Sequence, residues 1–284
     1  MLDLRLCSRI NLHNKEKENL SEHIRDGLSF LEKSGFDAAD FTMKLIEPLG
    51  SEWQKCIEVA KADATSLGIK FEICHLPFSL KICKDPSLLP KFVFDMHNAI
   101  DAAATLGVCY SVLHPGTITL PLSDYDRVAQ YDAVMAHLAP FAEHADRVGV
   151  RLCLENMPVV HENYPTHRYC QDPDELCDVA DALGIDVCWD FGHANIAGLK
   201  QSDALGFIGK RLKAVHVNDN CGIGDDHIPP FMGTIDWRDA ALGLANIGYT
   251  GLFNYEIATD KIPSAAKESF ANYLREAAKE IMRF

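Results

Sequence analysis

An alternation of strand-like and helix-like segments, repeated to the end of the chain, constrains the fold of these 284 residues more than any other feature. Apolar runs at 2–9, 38–46, 70–76, 108–114, 150–156, 186–191, 212–218 and 251–257 read as strands. Segments with helical spacing follow them at 18–34, 51–67, 88–106, 124–147, 173–183, 202–210, 236–246 and 264–282. Gly35, Gly68, Gly107, Gly149, Gly184 and Gly248 each fall just after a helical run, where a left-handed cap is wanted. The strands VCYSVLH (108–114) and VRLCLEN (150–156) stay mostly apolar until their last positions, as when both faces of a parallel sheet are covered. Eight strand and helix pairs with no Pro/Ser-rich linker predict an α/β chain with one domain over 1–284, a single (β/α)8 TIM barrel. An open doubly wound sheet is the alternative. It usually carries a glycine-rich phosphate turn after its first strand, and LRLCSRINLH (4–13) has no glycine.

Composition narrows the class. Apolar residues make up 48% and charged residues 24%, the balance of a globular protein and not of a disordered or fibrous one. The net charge of −14, from 27 basic and 41 acidic residues spread along the chain, disfavours a nucleic-acid partner. Asp3, Arg5 and Arg9 leave no room for the apolar core of a signal peptide, and no apolar run approaches the roughly 18 residues of a membrane span. A soluble, cytoplasmic protein without a membrane partner is expected. Ten cysteines without a CxxC pair, with Cys74, Cys109, Cys153 and Cys188 inside strand-like runs, predict buried reduced thiols.

The chemistry lies in what ends each strand. Strands three to eight close on His75, His114, Glu155, Asp190, His216 and Glu256, all of metal-ligand type. Any one alone reads as a cap or a loop hydrogen-bonder. In a barrel, however, the carboxyl ends of the strands converge on one mouth, so six such residues would share a pocket. Buried carboxylates cost several kcal/mol unless paired or metal-bound, so Glu155 and Glu256 at a mouth otherwise lined by apolar strand ends call for a cation. His193 follows Asp190 by three residues, and Asp225-x-His227 on the loop 219–235 could supply two further ligands or form a solvated acidic turn. Asn156 and Asn218 read as orienters of the ligands or as turn residues. His13, His23, His97, His137, His144, His161 and His167 fall on helices or loops without convergent partners. Trp53, Trp189 and Trp237 read as packing residues, with Trp189 a candidate for the pocket rim. Gly222 and Gly224 could form an anion nest.

The segments LENMP (154–158), WDFGHANIAG (189–198), HVND (216–219), DDHIPPFMGTIDW (225–237) and YEI (255–257) resemble the xylose-isomerase-like TIM barrels. That superfamily includes ketose 3-epimerases, hydroxypyruvate isomerases, inosose dehydratases and apurinic-site endonucleases. The resemblance implies one divalent metal held by Glu155, Asp190, His216 and Glu256. It also implies that Glu155 and Glu256 move the substrate proton while His193 binds a substrate oxygen. Family epimerases place an arginine a few residues after the strand-seven histidine; here Asn220, Cys221 and Gly222 stand there, which argues against a simple ketose 3-epimerase. The endonucleases bind three zinc ions, and His75, His114, Asp225 and His227 match the places of the additional ligands. Around Asp190, however, WDFGHAN differs from the endonuclease pattern, and the loop ending GTIDW is similar to the sugar-isomerase branch.

The expected activity is thus metal-dependent isomerisation or epimerisation of a small sugar, sugar phosphate or related hydroxycarbonyl compound through an enediolate. The ligand set suits Mn, Mg, Co or Zn without choosing among them, and leaves room for a second or third metal. A multi-zinc phosphoesterase is the alternative function, and a barrel that keeps its metal as a structural plug is the third. Self-association into a homo-oligomer stays open.

Overall fold

The computed structural model describes residues 2–13, 19–78, 85–259 and 261–284. Eight strands, β1 (Arg5–Arg9), β2 (Ala38–Thr42), β3 (Lys70–His75), β4 (Tyr110–Leu113), β5 (Leu152–Glu155), β6 (Asp186–Asp190), β7 (Leu212–Val217) and β8 (Leu252–Tyr255), close into a barrel in sequence order. Every pairing is parallel, and the ring closes where Arg5 to Ser8 of β1 pair with Leu252 to Tyr255 of β8. The architecture is the α/β TIM barrel.

Helices α1 (Leu20–Lys33), α2 (Trp53–Leu67), α3 (Leu89–Leu106), α4 (Arg127–Val148), α5 (Pro173–Leu183), a short α6 (Phe191–Ile196), α7 (Gln201–Ile208), α8 (Trp237–Ile247) and α9 (Lys267–Arg283) surround the strands. Their apolar faces and the outward side chains of the strands form one continuous core that includes Trp53, Trp189, Trp237 and Phe41. Trp189 is fully buried there and donates to Gln201 at 2.8 Å, so it packs between layers and does not reach the pocket rim. The predicted glycine caps hold. Gly68, Gly107, Gly149, Gly184 and Gly248 end α2, α3, α4, α5 and α8 with φ between 66° and 79°, and Gly35 follows the α1 cap at 75°.

Several boundaries differ from the sequence reading. The run 38–46 leaves the sheet at Thr42, because Met43–Leu45 turns into a 3-10 helix. The first strand starts at Arg5 rather than residue 2. Position 18 of the helical segment 18–34 lies outside the described residues, as does Cys83. Cys109 precedes β4 and is exposed, as is Cys221, whereas Cys7, Cys74, Cys153, Cys170, Cys177 and Cys188 are buried free thiols. Unforeseen is an antiparallel ribbon, Thr119–Pro121 with Thr166–Arg168, that ties the loop after β4 to the loop after β5. No helix among the described residues is long and apolar enough to cross a membrane.

Candidate functional site

Two layers of inward side chains stand in the barrel. The lower takes one residue from each strand, Cys7, Ala38, Ile73, Val112, Cys153, Cys188, Ala214 and Leu252, and packs as a cluster apart from the helix–sheet core. Two residues further on, the pleat returns the side chain to the same face. The upper layer therefore reads Arg9, Asp40, His75, His114, Glu155, Asp190, His216 and Asn254, with Glu256 two positions beyond. The mouth is thus a complete polar ring. The expectation of a mouth otherwise lined by apolar strand ends is wrong at Arg9, Asp40 and Asn254.

Glu155, Asp190, His216 and Glu256 offer donor atoms that all lie within 4.8 Å of one another, and all four residues are buried. His216 Nδ1 is the focus: Glu155 Oε1 lies 2.9 Å away, Glu256 Oε2 2.8 Å and Asp190 Oδ2 3.9 Å. One N–H cannot satisfy three carboxylates, whereas a divalent cation takes several anionic oxygens and one imidazole at once. Glu155 Oε2 is buried without a well-directed hydrogen bond, although His114 Nε2 lies 2.9 Å from it. The donor set therefore fits a metal. Burial pushes the Glu155 carboxyl up, but the charges of His216 and His114 outweigh it and hold that group well below the usual carboxylate range. Burial likewise acts on Glu256 and is overcome by Arg9, His216 and His75. Asp190 goes the other way: burial raises it, and Glu155 adds to the rise.

Asp190 is fixed from several sides. Its Oδ1 accepts from the His193 backbone at 2.7 Å, capping α6, and its Oδ2 accepts from Asn218 Nδ2, also at 2.7 Å. Asn156 accepts from the Asp190 amide at 2.6 Å and donates to its carbonyl at 3.1 Å. Both asparagines are therefore orienters of Asp190. Gly192 is needed for this approach, since a Cβ there would come within 1.9 Å of Asn218 Oδ1.

His75 bridges two acids, with Nδ1 3.0 Å from Asp40 Oδ2 and Nε2 3.2 Å from Glu256 Oε2. Arg9, from β1, donates to Glu256 Oε1 and lies 3.9 Å from Asp40 Oδ2, while Asn254 donates to Asp40 at 3.0 Å. Arg9 and Asp40 went unnoticed as site residues. The signal for both was present, two positions after Cys7 and Ala38 of the lower layer.

The loop after β7 brings a second group together. His193, Asp225 and His227 offer donor atoms within 4.8 Å of one another. Asp225 lies 3.4 Å from His193 Nε2 and 3.1 Å from His227 Nε2. His193 Nδ1 bonds the Asn156 carbonyl at 2.7 Å, and His227 Nδ1 the Glu256 carbonyl at 2.7 Å. Burial lowers both imidazoles, but Asp190 and Asp225 lift His193 to about 10, and Asp225 and Glu256 lift His227 to about 9. His227 sits at φ 49°, a left-handed conformation unfavourable for a residue with a Cβ.

Asp219 holds this loop in place. Fully buried, its carboxylate accepts from Trp237 Nε1 at 3.0 Å and from the amides of Phe231, Ile235 and Asn220 at 3.1, 3.2 and 2.9 Å. Asn220 donates to the Gly192 carbonyl and accepts from the Gly222 amide, so that amide is not free for an anion nest.

These groups line a pocket of about 480 Å³ at the carboxyl end of the barrel, with Phe78, Met157 and Pro158 as apolar wall and Arg168, from the ribbon, as a cation. Arg168 is held by the Thr117 and Pro158 carbonyls at 2.8 and 3.1 Å. Of the histidines expected to lack partners, His144 bonds Asp101 at 2.7 Å and His167 bonds the buried Glu175 at 3.0 Å; both pairs lie outside this pocket. His161 bonds the Ile196 carbonyl, and His137 stacks on Phe92.

Known proteins share this architecture. A protein of Methanocaldococcus jannaschii named only as uncharacterized is 29% identical over 210 residues, 71% of this chain and 69% of that one. Fructoselysine 3-epimerase of Escherichia coli O157:H7 is 26% identical over 175 residues, 60% of this chain and 58% of that enzyme. The solved structure of a D-tagatose 3-epimerase-like protein superposes with a TM-score of 0.73 at 21% identity, covering 98% of both chains. The family described as xylose isomerase-like TIM barrel matches residues 28–278, almost the whole ring of strands that carries these ligand-type residues. By that match, the chain belongs to the xylose isomerase-like TIM barrel family.

Proposed function

We propose that the chain is a divalent-metal-dependent isomerase or epimerase of a small sugar or sugar-derived hydroxycarbonyl compound. The observation that carries this reading is the placement of Glu155 and Glu256, from β5 and the end of β8, 2.9 and 2.8 Å from the same nitrogen of His216. Two carboxylates held either side of one focus are suited to take a proton from one face of a substrate and deliver one from another. Glu155, Asp190, His216 and Glu256 would hold the ion. When bound, it supplies Lewis-acid polarisation of adjacent carbonyl and hydroxyl oxygens, worth several kcal/mol of charge stabilisation.

One glutamate removes the proton alpha to the substrate carbonyl and the other returns a proton. Return to the opposite face of the same carbon is epimerisation; return to the former carbonyl carbon, with the hydroxyl proton of the first carbon passing to the former carbonyl oxygen, is isomerisation. His193, steadied by the Asn156 carbonyl, donates to a substrate oxygen. Phe78, Met157 and Pro158 keep water from the reacting carbon. The pocket volume of about 480 Å³ matches a small molecule. Support comes also from relatives whose names are those of sugar 3-epimerases.

The test is turnover of a panel of ketoses by protein loaded in turn with Mn, Mg, Co and Zn, with Glu155→Gln as control. Loss of turnover in the variant with the fold retained is the expected result, and near-normal turnover refutes the role.

A second reading, a multi-zinc phosphoester hydrolase, is favoured by one observation: His193, Asp225 and His227 form a ligand-type group beside the quartet, and His75 and His114 flank its glutamates. It requires two or three zinc equivalents per chain, falling in Asp225→Ala and His75→Ala, together with hydrolysis of a phosphodiester.

A further inference from the structure

The pocket is not uniform around its rim. Glu155 and Asp190 stand on β5 and β6, and the opposite side, four strands away, is built by β1 and β2. There Arg9 ends β1, Thr42 ends β2, and Lys44 lies in the turn Met43–Leu45 that follows; all three line the pocket. Among the described residues Lys44 makes no ion pair and the Thr42 hydroxyl no hydrogen bond, while Arg9 is paired with Glu256 and lies 3.9 Å from Asp40. Glu47, the acid on this side, has an interaction partner of its own.

Lysine and arginine donate hydrogen bonds and accept none. A neutral sugar presents hydroxyls that donate as well as accept, and a wall that offers the Lys44 ammonium and the Thr42 hydroxyl leaves their protons with few acceptors. Oxygens that only accept, those of a phosphate or carboxylate, match such a wall without loss. In a chain of net charge −14, a lysine without an ion pair at the mouth is not a by-product of a basic surface.

We infer that Lys44 and Thr42 form an anion subsite on this side of the pocket, so that the substrate is a sugar derivative carrying a phosphate or carboxylate group remote from the reacting carbon. This rests on the isomerase reading and narrows its substrate class. The reacting carbon lies near Glu155 and Glu256, and the anionic group extends to the β1–β2 side. Lys44 is exposed and outside the barrel wall, so replacing it does not touch the fold.

The experiment is calorimetric titration of metal-loaded protein with D-tagatose, D-tagatose 6-phosphate and D-tagaturonate, repeated for Lys44→Met, Lys44→Glu and Thr42→Val. One of the two anions is expected to bind at least about tenfold more tightly than D-tagatose, as a charge-assisted hydrogen bond implies. Lys44→Met should erase about that factor, Lys44→Glu more, and Thr42→Val less. Preference for the phosphate identifies a sugar phosphate, and preference for the uronate a sugar acid. D-tagatose binding as tightly as both anions, no binding of either anion, or a preference untouched by Lys44→Met would overturn the subsite. Turnover is read on the same samples: Lys44-dependent anion binding without any isomerisation would refute the isomerase reading and leave the subsite standing.

Discussion

The imidazole of His75 lies stacked on that of His216, with ring centroids 4.4 Å apart and planes 20° from parallel. Because both rings also reach Glu256, the carboxylate is held between two imidazoles and the Arg9 guanidinium. Removing His75 takes one hydrogen bond from the fully buried Asp40, which keeps Asn254, and a hydrogen bond to a charged group is worth about 1.5–3 kcal/mol. His75→Ala should therefore lower the urea midpoint of the metal-free protein by a corresponding amount. Elemental analysis of the same variant separates the two functional readings: a count of about one metal, unchanged, favours the single quartet.

Glu155 and Glu256 differ in their neighbours. Glu155 faces His114 and His216, whereas Glu256 faces Arg9, His75 and His216. In the proposed reaction, replacing either by Gln removes a proton-transfer group, and such groups contribute roughly 10²–10⁴-fold to rate. Turnover is expected to fall by about that factor in each variant. Exchange of the substrate alpha proton with deuterated solvent checks the assignment: a variant that keeps exchange while losing net conversion has lost only the returning acid.

Asp219 is the residue on which the loop after β7 depends. Asp219→Ala strips the acceptor from Trp237 Nε1 and from three backbone amides inside the protein. With each orphaned buried donor costing about 1–3 kcal/mol, a loss of about 3 kcal/mol is expected after partial rehydration. Denaturant unfolding measures it. Proteolysis between Gly222 and Gly233, accelerated in the variant, would place the opening in this loop, and a wild-type digestion rate would remove the assigned role.

The strands and their glycine caps were legible because each rests on a local rule, an apolar run or a left-handed turn. The ligand-type residues at the ends of strands three to eight were legible for the same reason, since an ionisable group terminates a long apolar run. Arg9 and Asp40 escaped for a definable cause. The second strand was carried to residue 46, so Asp40 stood in its middle rather than near its end, and Arg9 was counted only as a charge against a signal peptide. Counting by twos from the apolar inward layer finds both, but that layer is known only once the barrel fixes which face is inside. The ribbon strands, three residues each, are too short to carry a period. The role of Asp219 depends on contacts up to eighteen residues away in sequence and has no local signature.

Gly192 sits where α6 passes the Asn218 side chain. An added Cβ would lie 1.9 Å from Asn218 Oδ1 and 2.9 Å from Asn220 Nδ2, so Asn218 would have to release Asp190. Outer partners of this kind are worth about 10–100-fold in metal affinity. Gly192→Ala should weaken metal binding by about tenfold in a competition titration with a chelator. Unchanged affinity would mean that Asp190 keeps its place without Asn218.

The imidazoles of His193 and His227 give the metal-free protein a pH dependence of definite sign. Both are raised in the folded chain, to about 10 and about 9, against an ordinary value of 6.5. Their stabilising contribution is complete below about pH 6.5 and is lost as pH rises from there through the folded values, because over that span the folded chain holds protons that the unfolded chain has already lost. Between pH 7 and 8, below the ordinary thiol value of about 8.5, the Tm of the metal-free protein should fall. Under the multi-zinc reading, zinc at His193, Asp225 and His227 needs these imidazoles neutral, so the zinc-loaded protein should gain stability relative to the metal-free form over that range. Scanning calorimetry of both forms at pH 7, 7.5 and 8 reads the difference. A metal-free Tm that stays level or climbs would show that His193 and His227 are not held as cations by Asp190, Asp225 and Glu256.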